Sequence, residues 1–193
     1  MVRGYRIAAT LTALFLVGTA QAHTLGAHGA GFAAGLAHPF IGLDHLLAMV
    51  AVGIWAAQLG GRALWRLPLA FMAMMALGSA LALAGMVFPA VESGIASSLL
   101  VLGLLIAVAA RFPLMTSMLL VGVFALFHGH AHGQELPLAA SAFWYGLGFL
   151  LATGLLHLAG LALGILLSRG NSANWARVMG GGIAAAGVIL MAV

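Results

Sequence analysis

Residues 138–167 read LAASAFWYGLGFLLATGLLHLAGLALGILL, thirty positions with no acid, lysine or arginine and a single histidine, His157. A helix crossing lipid needs about 20 predominantly apolar residues. This stretch exceeds that length, so it has to tilt, kink or begin in the interface. Working outward, five more apolar stretches occupy residues 36–59, 67–88, 94–110, 113–132 and 175–193, with short breaks between them. In lipid the backbone must satisfy its own hydrogen bonds, and runs of this kind do so as helices. The expected fold is therefore all-α, a polytopic membrane bundle of six transmembrane helices.

Composition excludes the alternatives. Of 193 residues, 64% are hydrophobic and 5% charged, too few charges to clothe a water-soluble surface. The bilayer is the expected partner. Seven arginines against three acids raise the pI to about 11.3, but the arginines are spread along the chain, so nucleic acid is not an expected partner. With no cysteine, disulfides and thiolate metal sites are out of reach. Eight histidines against three acids is the ratio that asks for an explanation.

Before the first of these stretches, Arg3 and Arg6, an apolar run from Ile7 to Gly18, and Ala20-Gln21-Ala22 have the layout of a cleavable signal peptide. The run is too short to span. Residues 1–22 are thus read as signal peptide and residues 23–193 as the six-helix domain. With an exported N-terminus, Arg62, Arg66, Arg111, Arg169 and Arg177 all fall in cytoplasmic loops, and Glu92 and Glu135 fall outside, as the positive-inside rule requires. The expected location is the bacterial inner membrane with a periplasmic mature N-terminus. Six helices so arranged make two three-helix halves of opposite orientation, a layout that permits an inverted repeat, although the halves share no evident sequence similarity.

Ionisable groups inside lipid are costly and so informative. The first stretch contains His38-Pro39-Phe40-Ile41-Gly42-Leu43-Asp44-His45. His38 and His45 share a face of a regular helix, Asp44 points about a third of a turn away, and Pro39 and Gly42 can loosen the helix and bring the three together. The fourth stretch ends in Phe127-His128-Gly129-His130-Ala131-His132-Gly133-Gln134-Glu135. There His128, His132 and Glu135 form one stripe, whereas His130 points elsewhere and reads as a solvated helix end. Measured from the inner arginines, both motifs fall near the outer surface, at the mutual depth a shared site requires, with Asp44, His45 and His128 expected to line one metal site and His38 and His132 expected at its mouth. Imidazole with carboxylate suits nickel, cobalt, zinc or copper(II). A mature N-terminal His23 would offer an amine beside its imidazole, a natural chelate, against the plain reading of a polar terminus. His157, near the midplane, is either hydrogen-bonded to a neighbouring helix or a deeper relay ligand. Met72, Met74, Met75, Met115 and Met118 read as core fillers.

At these residues the chain resembles the HupE/UreJ family of nickel and cobalt permeases, associated with hydrogenase and urease systems. The resemblance rests on His38-Pro39 with Gly42, Asp44-His45 and Met49, and on Phe127-His128-Gly129 with Ala131-His132-Gly133 and Glu135. It implies metal uptake across the inner membrane, carried first by His38, Asp44 and His45, and a link to hydrogenase or urease maturation. The ion, Ni2+ or Co2+, is cargo; no prosthetic group and no enzymatic activity are expected. No P-loop is present, so flux is expected to be secondary or passive. The competing classes are an intramembrane zinc-dependent hydrolase, a metal-sensing accessory subunit without flux, and a proton or other cation channel.

Overall fold

The computed structural model describes residues 27–136, 140–168 and 173–192; the expected signal peptide, His23 and Arg169 lie outside them. The described residues form seven helices and no strand: α1 (Ala27–Ile41), α2 (Leu43–Leu59), α3 (Ala63–Leu83), α4 (Val91–Ala107), α5 (Leu114–Gln134), α6 (Ala142–Leu167) and α7 (Ala173–Ala192). Four of them, α3, α5, α6 and α7, are long and apolar enough to cross a membrane. The outer surface is as apolar as the core: Trp65, Leu69, Met115, Leu119, Leu158 and Ile189 all face outward. Such a surface is stable in lipid and not in water.

The first apolar stretch departs from the single helix expected over 36–59. It begins at Ala27 and is broken at Gly42 into α1 and α2, which are bent by 80° and together make a fifth candidate span. Pro39 removes a helix donor just before the break, and Gly42 is extended, with φ −80° and ψ 111°. The Gly42 carbonyl then accepts from Leu46 N–H and starts α2. The second stretch also ends earlier than residue 88. At Gly85, with φ 82°, two hydrogen bonds, Gly85 N–H to Ala82 and Met86 N–H to Leu81, close α3, a left-handed cap that glycine adopts without steric cost. α4 is a shorter apolar helix of 17 residues, and α6 is continuous over 26.

The closest helix pairs are α3 with α5, α4 with α7, and α6 with both α1 and α2, and the packing repeats. On α2, Val50, Gly53 and Ala57 meet Gly160, His157 and Gly164 of α6; on α5, Leu126, Gly129 and Gly133 meet Gly78, Met75 and Ala82 of α3. Each position of one set corresponds to a position of the other in the same order and spacing. The last pair, α4 with α7, maps onto itself: Gly103 lies against Gly180 and Ala184, and Gly180 against Gly103 and Ala107. The residue pairings make α2 and α6 parallel, α3 and α5 parallel, and α4 and α7 antiparallel. In these three pairings a two-fold exchange relates α2–α3–α4 to α5–α6–α7 with inverted direction, although α2 also packs on α3 and α4 where α5 makes no equally close contact with α6 or α7. Small residues permit these close crossings, as in membrane bundles generally. α1 has no counterpart, because the corresponding stretch before α5 is only the short link from α4. It packs on the first half of α6, with Gly35 against Tyr145 and Gly148 against Phe32.

Candidate metal centre

The break at Gly42 sets the geometry of the first motif. A Cβ there would stand 2.9 Å from Asp44 Oδ1 and 3.1 Å from His45 Nδ1, so a larger residue would push these two side chains from the positions in which they fold back over the bend. Asp44 Oδ1 accepts from His45 N–H at 2.8 Å and lies 2.8 Å from His45 Nδ1. Donation of the Nδ1 proton to the carboxylate leaves the lone pair on Nε2, which is buried and without a partner. A carboxylate that orients a histidine in this way is the usual support of a metal ligand.

The second motif meets it from α5. The His45 ring lies 4.2 Å from that of His132 and 4.9 Å from that of His128, and His38 lies 4.7 Å from His132, centre to centre. The backbones of α2 and α5 are not a closely packed pair; the imidazole rings fill the space between them. Ser98 on α4 gives its hydroxyl proton to the Ile95 carbonyl at 2.6 Å and therefore accepts from His128 Nε2–H at 2.8 Å. This fixes the His128 lone pair on Nδ1, which has no partner, as is true of both nitrogens of His132. Glu135, just past the end of α5, reaches His38 Nε2 at 3.0 Å and His132 Nδ1 at 3.8 Å. The potential ligand atoms of His38, His132 and Glu135 all lie within 4.8 Å of one another.

The cluster is graded. Side-chain exposure falls from 50% at Glu135 through 29% at His38 and 23% at Asp44 to 7% at His45 and 1% at His132, and His128 is fully buried. His132, expected at the mouth, instead sits inside, between His38, His45 and Phe149, because α1 folds over it. The opening is a cavity of about 260 Å³ lined by His38, Asp44, His45, Glu92 and Glu135. Thus all three acids of the chain line one cavity. Glu92, at the start of α4, was assigned only to a loop; the scarcity of acids was the signal that could have placed it at the site. Ser98 carried no such signal.

His130 points away from the stripe, as the helical period requires, but it is not solvated. It is fully buried, donates from Nε2 to the Met86 carbonyl at 2.8 Å and stacks on Phe88 at 4.4 Å, because the chain after α3 folds back over it. The arginines gather at the other end, where Arg62 and Arg111 line one cavity and Arg111 and Arg177 another.

Comparison with known proteins places nearly the whole chain in one family. The family model described as HupE / UreJ protein matches residues 11–190. The chain is 48% identical over 186 residues to Protein HupE of Rhizobium leguminosarum bv. viciae, covering 96% of this chain and 97% of that protein. No solved structure matches.

Proposed function

We propose that this chain, which belongs to the HupE/UreJ family, carries divalent nickel or cobalt across the bacterial inner membrane through the His/Asp cluster between α2 and α5. The observation that carries the reading is the graded row of ligand atoms. Carboxylates lie at the opening and imidazoles behind them, and nitrogens of His45, His128 and His132 lack any partner although buried. Buried polar atoms without partners are rare and costly, and an arriving cation would satisfy several of them at once. Asp44 and Glu135 would offset the charge of an ion as it sheds water, and neutral imidazoles would hold it less tightly further in, which favours passage over trapping. Nitrogen with oxygen donors and no thiolate suits nickel and cobalt, as it suits zinc and copper(II), and the uptake comparison below separates them.

In this reading α4 is a sixth crossing. It starts at Glu92 in the acidic cavity and hands over to Arg111 at the arginine end, so it traverses the bundle despite its 17 residues. The acidic end faces the periplasm and the arginine end the cytoplasm, following the positive-inside rule. The test is uptake into proteoliposomes with nickel, cobalt, zinc and copper compared. Wild type should carry nickel or cobalt, and Asp44→Asn, which keeps size and hydrogen bonding but removes the charge beside His45, should lower uptake by roughly 100-fold and binding by about tenfold or more, ~1.4 kcal/mol. Undiminished flux through Asp44→Asn would take the cluster out of the path. Binding without flux in wild type would identify an accessory metal-binding subunit instead.

A further inference from the structure

We infer that His157 of α6, together with the Met75 thioether and the Thr153 hydroxyl, forms a second ion station deeper in the bundle, separated from the outer cluster by the ring of Phe71. His157 is 1% exposed, and neither of its ring nitrogens has a hydrogen-bond partner. The hydrogen bond to a neighbouring helix that would make it an ordinary buried histidine is absent. Phe71 touches both sites: its ring lies 5.7 Å from His128 and 5.2 Å, edge-on at 89°, from His157. One aromatic ring is therefore the partition between the deepest imidazole of the outer cluster and the imidazole beyond it.

The proposed second ligand lies one helical turn from the Phe71–His157 contact. Phe71 and Met75 are one turn apart on α3, and Thr153 and His157 are one turn apart on α6. Thr153 Oγ1 lies 4.0 Å from Met75 Sδ, and both side chains are buried. Under the exchange of halves that matches Gly78 with Gly160, Met75 corresponds to His157 and Phe71 to Thr153. The Phe71–His157 contact and the Thr153–Met75 contact are thus mates, and the four side chains stand where the two halves meet. Inverted-repeat carriers place their substrates at this position.

The donor set differs from that of the outer cluster. An imidazole nitrogen, a thioether sulfur and a hydroxyl carry no charge, and nitrogen with sulfur favours nickel, copper and cobalt over magnesium and calcium. An ion leaving the carboxylates would find here a weaker, more selective resting point, and uncharged ligands release it readily. This station rests on the transport reading, since it lies on the same path, but its occupancy is measurable without flux.

The experiment uses the full chain, in nanodiscs for equilibrium dialysis with Ni2+ and in proteoliposomes for uptake. Wild type should bind two ions. His157→Ala should bind one, with the outer affinity within about twofold of wild type, and should lose roughly tenfold in uptake. Met75→Leu, which keeps volume and removes the sulfur, should weaken only the second ion, by about threefold or more. Asp44→Asn should weaken the first ion and leave the second. Retained outer binding shows that His157→Ala is folded; if it is not, Met75→Leu decides alone. A single bound ion in wild type, or a second ion unaffected by both His157→Ala and Met75→Leu, overturns the station. Two-ion binding with these losses but no wild-type uptake upholds the station and defeats the transport reading instead.

Discussion

At the end of the bundle lined by Asp44, Glu92 and Glu135, α2 and α5 face each other through His45, His128 and His132. At the opposite end, the positions that the repeat makes their counterparts are Val121, Val52 and Ala56, all fully buried in the apolar core. The scaffold is two-fold and the chemistry is one-sided. Backbone crossings built on small residues impose the same geometry at both ends, so what distinguishes the ends is what the sequence adds to that geometry. To the first half it adds α1, the break at Gly42 and a ligand-bearing bend; to the second half it adds the histidines of α5. The acidic end opens into a cavity lined by carboxylates, whereas the counterpart positions are filled by aliphatic side chains, short of the cavities that the arginines line.

The comparison is broken most sharply by asking which end faces which compartment. Cysteine placed at Glu92 or Glu135 should react fully with an impermeant thiol reagent added from the periplasm, and cysteine at Arg62 should not react at all; the chain's own lack of cysteine gives a silent background. The reverse pattern would put the acidic opening in the cytoplasm and turn uptake into export.

Much of this was legible in the sequence, and the reasons are physical. Hydropathy declares a helix in lipid because nothing else satisfies the backbone, so all six apolar stretches correspond to helices. The 3.6-residue period separated His130 from His132 correctly. What it could not give was the surroundings. The sequence marked Pro39 and Gly42 as weak points but not an 80° bend, which depends on α1 packing against α6. His132 was placed at the mouth because α1, which covers it, was read as a continuation of the same span. His130 was taken for a solvated end because the segment after Leu83 was not known to fold back over it. The repeat was invisible because the halves match in glycine spacing and not in side-chain identity: Gly53 answers Gly129 and Gly78 answers Gly160, while His157 answers Met75.

That correspondence predicts paired sensitivity. A Cβ at Gly53 would run into the His157 carbonyl, and one at Gly129 into the Met75 carbonyl. Gly53→Ala and Gly129→Ala should each destabilise the protein by about 1–3 kcal/mol, as overpacking does. Gly182→Ala, with open space around it on α7, should gain up to about 1 kcal/mol from helix propensity. Thermal unfolding in detergent measures all three. If one crossing tolerates alanine and the other does not, the two halves are less alike than their contacts indicate.

The finest contrast lies within α5, between His130 and His132. They are two positions apart, roughly 200° around the helix, and the structure gives them opposite employment. His132 has both ring nitrogens free and stands 4.2 Å from His45 and 4.7 Å from His38. His130 spends Nε2 on the Met86 carbonyl and lies parallel to Phe88, with an interplanar angle of 12°. His130→Ala should therefore cost about 1–2 kcal/mol of stability, from one hydrogen bond and one stacking contact, while leaving nickel affinity within about twofold of wild type. His132→Ala should do the reverse: the fold should hold, since no hydrogen bond is lost, and nickel affinity should fall by about tenfold or more. Unfolding curves and nickel titrations on the two purified variants decide between these patterns. Equal losses of nickel affinity in both would mean that the segment after α3 moves aside and that His130 also serves the ion.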